Sequence, residues 1–580
     1  AAPPATSLLG TKAAEAKSVL GPALGRGALP MLTAGRATQL QSAHGAPQLF
    51  TAMKRYPRCP SGDREKLQYI VQQGVKRTHD IVHHVMKLVV KLKGEGMEAV
   101  LAWLAAATRA NEPKRDAKMT HHSGAFGDAR VPSDNFLLGV AAVALRFTRP
   151  ITDGRLIGQR LMDLVPLRHN WRHDWAAEDT LARGTTAARN AEPPAPSPHF
   201  VAETFYTAMR AFQVGLLPAV RRFEEVMQVL QQRAQATAGA AAGEGGEGGE
   251  GGGGAAGEAN ALANDNDYNA YYDCASAALL DPELAGDACR FSLLQAAWLV
   301  ELARLPDEEE ARAAFALVPE NCVRSMAEWV CFILRMGKAE LLLTSGGSGV
   351  GEAGSPASRP SSARPSTAGG NGGGGSGGGA GISVSVLVQC ATELLSRPHL
   401  VRHPTVHAAL VEMLQAMLIG EGSRRGGGSQ LGVRGSSTHE LLVSSVLGSA
   451  EARDSLCPAL IRAYSMMDAV EGLDVDRDKF DKFHTRDVIA RLLEELWRIP
   501  ECVASVARLG AAGAGGEEAG GGLGGVVVSG GGGVFADFAG CVLGDLMYVL
   551  QDSLDRLASI SELQRAKADS AAWSALSQRE

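Results

Sequence analysis

Residues 541–564 read CVLGDLMYVLQDSLDRLASISELQ and carry the clearest structural signal in the chain. Apolar residues recur there at steps of three and four, while the charged residues fall between them. This spacing places the apolar side chains on one face of an α-helix. The stretch therefore predicts a long amphipathic helix whose apolar stripe consists of Leu543, Leu546, Leu550, Leu554, Leu557 and Ile560.

The same helical periodicity recurs along most of the chain, whereas alternation with period two is almost absent. Further helices are predicted over Leu67–Leu92, Glu203–Leu230, Phe291–Leu302, Val323–Leu343, Val384–Leu395, Val406–Leu418 and Val488–Leu496. Prolines such as Pro398, Pro404 and Pro500 stand at the joints, where they end one helix and start the next turn. Helices that each bury a stripe against their neighbours are typical of armadillo and HEAT arrays. Because no strict repeat period is present, we predict an all-α fold, an elongated, irregular armadillo/HEAT-like α-solenoid.

Glycine-rich stretches interrupt these helices, and 69 of the 580 residues are glycine. They cover residues 234–260, 345–381, 420–435 and 510–533. Each lacks the apolar residues that would offset the entropy of ordering, so we predict disordered inserts within one helical core over residues 51–580. Residues 1–50 are a low-complexity flank whose composition fits either an organelle transit peptide or a disordered flank.

Composition argues against several classes of partner. The formal net charge is −6 and no Lys/Arg-rich block stands out, so no nucleic-acid partner is expected. Nine cysteines without a C-x-x-C pair indicate a reducing compartment, where cysteine serves as a small hydrophobe.

The best apolar run, Phe136–Phe147, contains Arg146 and is shorter than the ~18 residues of a membrane span. We therefore expect a soluble protein with no membrane partner.

The motif His79-Asp80-Ile81-Val82-His83 imitates the H-E-x-x-H zinc helix. Aspartate is one methylene shorter than the glutamate that serves as general base, and no third ligand is indicated. We interpret these histidines as a solvated or capping face rather than a metal site.

Other short motifs have equally simple explanations. Gly374–Gly378 fits G-x-S-x-G and Gly346–Gly351 resembles a phosphate loop, but neither has the flanking strand and helix that its chemistry requires. Met119, His121 and His122 are interpreted as a polar loop rather than a soft-metal site. No catalytic, cofactor-binding or metal residue is assigned, and no cofactor is expected. Core packing is predicted for the aromatic residues Phe200, Phe205, Trp298, Trp329, Trp497 and Trp573.

Six segments, in order along the chain, resemble motifs of the ubiquitin conjugation factor E4 family. These are Ser133–Leu138, His199–Tyr206, Leu317–Glu320, Arg397–Leu414, Phe480–Arg486 and Phe535–Trp573. Gly544 and Gln551 depart from the family pattern at positions that look structural. Together the segments cover roughly Phe50 to Glu580, which identifies the chain as resembling the core region of that family.

The resemblance implies the scaffold of a U-box ubiquitin-protein ligase that elongates ubiquitin chains for proteasomal and endoplasmic-reticulum-associated degradation (ERAD). Such a ligase forms no covalent intermediate with ubiquitin and acts through proximity and orientation. In the family, a U-box follows the position of Trp573, so we expect a U-box after Glu580 and expect residues 1–580 alone to be inactive.

The resemblance also implies partners and a location. The partners are a ubiquitin-conjugating enzyme bound through the U-box, ubiquitylated substrates, an AAA+ segregase and shuttle factors with ubiquitin-like domains. The expected location is the cytoplasm and nucleus. The alternative is a non-catalytic helical-repeat adaptor without a U-box.

Overall fold

The computed structural model of the protein describes residues 20–24, 32–33, 36–37, 61–92, 94–115, 134–152, 169–170, 173–174, 180–182, 200–243, 268–345, 382–420, 437–467, 481–514 and 533–568. Most of these residues are helical. The helices are α1 (Gly21–Leu24), α2 (Ser61–Val90), α3 (Glu95–Arg109), α4 (Asp134–Thr152), α5 (Phe200–Ala211), α6 (Leu217–Gly243), α7 (residues 268–279), α8 (Pro282–Ala303), α9 (Glu308–Phe315), α10 (Glu320–Arg335), α11 (Ala339–Ser345), α12 (Ser385–Ser396), α13 (Pro404–Leu418), α14 (Ser437–Leu447), α15 (Ala450–Met466), α16 (Lys482–Leu496), α17 (Pro500–Ala514) and α18 (Val534–Ala568).

Extended structure is minor in the described ranges. Two-residue strands form two small antiparallel pairs, Leu32–Thr33 with Arg36–Ala37 and His169–Asn170 with His173–Asp174. A π-helical segment, Phe212–Leu216, joins α5 to α6. The prediction of an all-α, solenoid-like fold is confirmed.

The chain divides into two compact units. Unit 1 comprises Ala1–Cys390 and His399–Val446, and unit 2 comprises Ala391–Pro398 and Leu447–Glu580. In unit 1, α4 packs against α2, α3, α5 and α8, while α8 also contacts α10 and α11, and α10 contacts α13. The helices of this unit thus pack against one another in succession, as helices do in helical-repeat proteins.

A close approach between α4 and the π-helical segment organises the first part of unit 1. A Cβ atom on Gly215 would lie 2.3 Å from the backbone oxygen of Leu137, so only glycine fits there without a backbone shift. The segment is buried throughout, and Pro218, which has no backbone N–H to donate, follows it in the first turn of α6. The local departure from α-helical geometry therefore coincides with a close approach of two helical segments.

Aromatic side chains fill the centre of unit 1. The ring centroid of Phe205 lies 5.5 Å from that of Phe291 and 5.1 Å from that of Trp298. Phe212 meets Trp329 at 6.0 Å in an edge-to-face arrangement. Such pairs add specific packing geometry to the burial of large apolar surfaces.

The predicted core aromatics divide into four groups. Phe205, Trp298 and Trp329 are buried, which confirms the prediction for them. Phe200 is half-buried at the start of α5, and Trp573 lies outside the described residues. The prediction is wrong for Trp497, which is 55% exposed because it occupies the C-cap of α16, where the chain turns toward α17.

Two of the departures from the predicted helix boundaries have a clear local cause. The predicted helix Val323–Leu343 is interrupted at Gly337, which has φ +67°, and the amide of Lys338 bonds to the carbonyl of Ile333 at 3.0 Å. This hydrogen-bond pattern is a glycine C-cap that ends α10 before α11 begins. Helix α6 extends to Gly243, ten residues into the predicted insert at 234–260, because its alanine-rich end has high helix propensity. Most of the four inserts lies outside the described residues, so their disorder stays a prediction.

In unit 2, helix α15 is the central element and packs against α16, α17 and α18. Side chains cap the helix starts. The hydroxyl of Ser449 accepts a hydrogen bond from the amide of Ala452 at 3.0 Å, and the Asp481 carboxylate accepts bonds from the amides of Phe483 and His484. These caps supply partners for amides that have none within their own helices.

Candidate functional site

The histidine motif in α2 lies against a buried arginine. Arg146 of α4 is 2% exposed, and its Nη1 atom lies 2.7 Å from Oδ1 of Asp80. Burial, together with the charge of Arg146, lowers the pKa of His79 to about 3 and that of His83 to about 4. A guanidinium at this position would repel a metal cation, so the geometry does not favour a zinc site.

The interpretation of these histidines as a solvated or capping face is wrong for His79. Its side chain is 3% exposed and belongs to the core of unit 1. Only His84, one residue beyond the motif, is fully on the surface. Spacing within one helix did not show which face of α2 meets α4.

An ion-pair cluster joins α2, α4 and α8 around Arg146. The Arg149 guanidinium donates two hydrogen bonds to Asp287, at 2.7 and 2.6 Å, and approaches Glu283 at 3.4 Å. Lys76 of α2 also pairs with Glu283. Burial alone would raise the pKa of Glu283, but the hydrogen bond and charge of Lys76, with the two arginines, lower it overall. The cluster is positioned between helices and serves to hold them together.

Other sequence candidates lie outside the described residues. These are the Met119, His121 and His122 group, the Gly374–Gly378 motif and the Gly346–Gly351 motif. Within the described ranges, no group of three or more His, Cys, Asp and Glu side chains is placed to hold a metal ion.

Cysteine side chains in the described helices are mostly buried. The prediction that they serve as small hydrophobes is confirmed for Cys274, Cys289, Cys322, Cys331, Cys390, Cys457 and Cys502. The reducing compartment inferred from them stays a prediction.

Helix α18 is anchored to the rest of unit 2 along its first half. The ring of Phe538 packs edge-to-face on Tyr464 of α15 at 5.1 Å. Asp545 accepts a hydrogen bond from the Tyr464 hydroxyl at 2.7 Å and another from Nη1 of Arg486, in α16, at 2.6 Å. Because Arg486 is 3% exposed, this is a largely desolvated pair that fixes α18 against both helices.

The apolar stripe of α18 is exposed, although the sequence predicted a stripe buried against neighbouring helices. Leu543 is 62% exposed, Leu550 is 50% exposed and Leu557 is 60% exposed. Residues 553–565 are all exposed. The prediction of a long amphipathic helix is confirmed, whereas burial of its stripe is wrong for the residues described.

An aromatic pair adjoins this stripe. Phe483 of α16 stacks on Tyr548 of α18 with ring centroids 5.2 Å apart and an interplanar angle of 16°, and both rings are substantially exposed. We define the α18 surface as Leu543, Leu546, Met547, Leu550, Leu554, Leu557, Ile560 and Leu563, with the Phe483–Tyr548 pair. Contiguous exposed apolar surface of this extent marks interaction sites in soluble proteins. Phe483 was missed by the sequence analysis because nothing in the sequence pairs it with Tyr548.

By length and composition alone, Val534–Arg565 could also cross a membrane. The expectation that the chain contains no such stretch is wrong on that criterion. The criterion is weak for a single helix, and here Asp545 lies inside the stretch and is bound to Arg486 and Tyr464 of the same unit. A buried ion pair with a neighbouring helix is typical of tertiary packing.

Within the two units, helices are held together by ion pairs, and α18 presents an exposed apolar surface of the kind that binds protein partners. Residues 20–580 match the family model described as ubiquitin elongating factor core. The chain belongs to this family, which confirms the resemblance found in the sequence.

A curated relative supports the same family. The chain is 20% identical over 536 residues to a protein of Arabidopsis thaliana named probable ubiquitin conjugation factor E4. The match covers 85% of this chain and 44% of the relative, so the chain spans less than half of that protein's length.

Proposed function

We propose that this chain is the scaffold of a U-box ubiquitin ligase that elongates ubiquitin chains on substrates of proteasomal and endoplasmic-reticulum-associated degradation. The observation that carries the proposal is the match of residues 20–580 to the ubiquitin elongating factor core. The name of the Arabidopsis relative agrees with it.

In this mechanism the chain forms no bond to ubiquitin. A U-box after Glu580 docks the charged ubiquitin-conjugating enzyme, and the helical units hold the substrate within reach of its thioester. The rate gain comes from proximity and orientation, which can remove several kcal/mol from a bimolecular barrier. The exposed α18 surface supports a role in which protein partners are held on helical faces.

The proposed partners follow from the same function. They are a ubiquitin-conjugating enzyme, ubiquitylated substrates, an AAA+ segregase and shuttle factors with ubiquitin-like domains, met in the cytoplasm and nucleus. Binding of a purified segregase and of an isolated ubiquitin-like domain can each be measured by calorimetry. Failure of either to bind removes that partner while leaving chain elongation untouched.

The decisive experiment compares the full-length protein with residues 1–580 in a reconstituted ubiquitylation reaction. With activating enzyme, conjugating enzyme, ATP and a mono-ubiquitylated substrate, we expect chain extension from the full-length protein only. The control is the same reaction without either protein. Extension by residues 1–580 alone would show that the transfer module has been misplaced in this proposal.

The coding sequence after Glu580 distinguishes the ligase from an adaptor. A U-box there supports the ligase. If the full-length protein lacks a U-box, binds ubiquitylated substrate and leaves its chains unchanged, the adaptor is the correct function.

A further inference from the structure

A second apolar surface lies on the outward face of α2, in unit 1. Ile81, Val85, Leu88 and Leu92 are between 42% and 74% exposed. Backbone hydrogen bonds continue the helical turn past the last residue of α2 as far as Leu92. The opposite face of α2 packs against α1, α3 and α4. These four side chains therefore stay in solvent although α2 is already packed in its unit.

The four side chains have the spacing of a coiled-coil seam. They follow one another at steps of four, three and four residues, which is the alternation of positions a and d in a heptad. Val85 and Leu92 occupy position a, and Ile81 and Leu88 occupy position d. Valine at a with leucine at d favours a pair of helices over larger bundles. We define these four residues as the α2 seam, and its geometry suits one further helix.

Cations line one flank of the α2 seam. Arg77, His84 and Lys91 are exposed and lie seven residues apart, at position g of the same heptad. Neither Arg77 nor Lys91 has an ion-pair partner within the part of the chain that the structure describes. Asp80, the only acidic residue between them in the sequence, is bound to Arg146 of α4. This flank is therefore positive in a protein whose formal net charge is −6.

We propose that the α2 seam binds an amphipathic helix of a partner protein that carries aliphatic residues at a and d and Asp or Glu along the flank facing Arg77 and Lys91. Charges at positions e and g select the partner of a coiled coil. Two cations without acids of their own select an acidic helix and reject a basic one. The proposal goes beyond chain elongation, because it assigns unit 1 a docking site for an acidic helical segment.

A second copy of α2 does not match this chemistry. In an antiparallel pair, position g of one helix faces position g of the other, so cations would oppose cations. In a parallel pair, position g faces position e, where Val82 is 2% exposed because unit 1 covers that flank. A membrane surface fits less well for the same reason, since an interfacial helix buries a broad free face in the lipid.

The test uses a synthetic helical peptide of three heptads with leucine at a and d, glutamate at e and g, and glutamine or alanine elsewhere. Repulsion between its glutamates opposes self-association of the peptide. Fluorescence anisotropy of the labelled peptide measures its binding to the purified protein. We expect saturable binding that weakens as salt rises, and about tenfold weaker binding of the same peptide with lysine in place of glutamate.

Exposed substitutions locate the binding on α2. The double variant Arg77→Glu, Lys91→Glu should reverse the preference, with about tenfold loss for the glutamate peptide and a matching gain for the lysine peptide. Leu88→Gln should abolish binding of both peptides. The matched control Lys87→Glu reverses a charge at exposed position c of the same helix and should leave the affinity within about twofold. Circular dichroism verifies that each variant folds, and Ile81→Gln replaces Leu88→Gln if that variant does not.

Several results would overturn the proposal. One is the absence of saturable binding by the glutamate peptide, and another is binding that the double variant and Leu88→Gln leave unchanged. Sedimentation that shows a dimer dissociated by Leu88→Gln would assign the seam to a second copy. Binding to vesicles of phosphatidylcholine and phosphatidylserine that Leu88→Gln abolishes would assign it to a membrane. None of these results bears on ubiquitin chain elongation, so this proposal and the proposed function fail independently.

Discussion

Arg486 is the residue on which the position of α18 depends most directly. Its guanidinium bonds to the carboxylate of Asp545 and to the backbone carbonyl of Tyr464, and it lies 4.7 Å from the centroid of the Tyr464 ring. A buried cation with this many partners is costly to disturb, since loss of one group leaves the other charges unpaired in a poorly solvated place.

Substitution Arg486→Met should therefore destabilise unit 2 by about 3 kcal/mol. The reason is that Asp545 loses its cation while remaining partly desolvated. Hydrogen–deuterium exchange should show faster exchange in the first half of α18.

The matched control lies on the same helix. Arg491 pairs with Asp487 at 2.6 Å, but the side chains are 42% and 50% exposed, so Arg491→Met should cost less than about 1 kcal/mol. Equal effects of the two substitutions would contradict the assigned role of Arg486.

A second prediction at this scale concerns pH. Burial holds the pKa of His79 at about 3 in the folded protein, below its ordinary value of 6.5. Between these two values the unfolded chain binds a proton that the folded chain does not, so the unfolding free energy falls as pH falls through this window. From pH 7 to pH 5 the loss due to His79 is roughly 2 kcal/mol.

Denaturant titrations followed by fluorescence of the buried Trp298 and Trp329 can measure this loss. The variant His79→Leu should reduce the pH dependence, and the exposed control His84→Leu should keep it. A profile of His79→Leu identical to that of the parent would show that another group is responsible.

Individual residues show which side-chain positions could be predicted from the sequence and which could not. Phe205, Trp298 and Trp329 could be placed in the core because large aromatics on apolar helix faces have few alternatives. Trp497 has the same chemistry but caps a helix, and its exposure depends on where α17 leaves α16.

At the scale of elements, the presence of most helices could be predicted from the sequence, whereas their first and last residues could be predicted less well. Long helices with an apolar stripe, such as α18, could be predicted from the three- and four-residue spacing of apolar residues alone. Helix α15 was not predicted, since Pro458 interrupts its pattern and its apolar residues are spread around the helix. Whether a given apolar stripe is buried could not be predicted, because its burial depends on whether another helix covers that face.

A single glycine-to-alanine substitution tests the packing of α4 against the π-helical segment. Gly215→Ala should destabilise unit 1 by about 2 kcal/mol or more, since its Cβ would meet the Leu137 oxygen at 2.3 Å. The matched control Gly74→Ala, at an exposed position of helix α2 with nothing within 4 Å of the added Cβ, should be neutral or stabilise by up to about 1 kcal/mol. Thermal unfolding of both variants measures the difference, and a neutral Gly215→Ala would refute the close approach.

The exposure of the α18 surface gives another prediction for an element. The double substitution Leu554→Gln, Leu557→Gln should reduce binding of a hydrophobic fluorescent dye and leave the helical circular dichroism unchanged, because both side chains are 60% exposed. Ser561→Gln, a polar replacement at an exposed position of the same helix, should leave dye binding unaltered. A large loss of helicity in the double variant would indicate that the stripe is packed in solution.

At the scale of the whole molecule, composition and helical periodicity were sufficient to predict the all-α class, and six ordered motifs were sufficient to identify the family. The division into two compact units was not foreseen, because glycine-rich stretches interrupt the helices of one unit as readily as they would separate two. Function at this scale rests on family membership, and the reconstituted ubiquitylation reaction would test it.

Metal content is a further property of the whole protein. We expect purified protein to contain far less than one equivalent of zinc, and its melting temperature to be unchanged by EDTA, because Arg146 lies beside the one described motif with metal-ligand spacing. Elemental analysis by mass spectrometry measures the metal directly. Stoichiometric zinc that EDTA removes with loss of stability would require a site among the residues outside the described ranges.

The anchoring of α18 along only its first half has a mechanical consequence. From Tyr548 to Ala568 the helix extends roughly 30 Å past its last aromatic contact, at 1.5 Å per residue. It is thus a lever arm with its pivot near Tyr548. A tilt of about 10° at that pivot would displace the far end by roughly 5 Å. The stiffness of the Phe483–Tyr548 stack and of the Asp545–Arg486 pair therefore sets how accurately anything bound to the last turns of α18 is positioned.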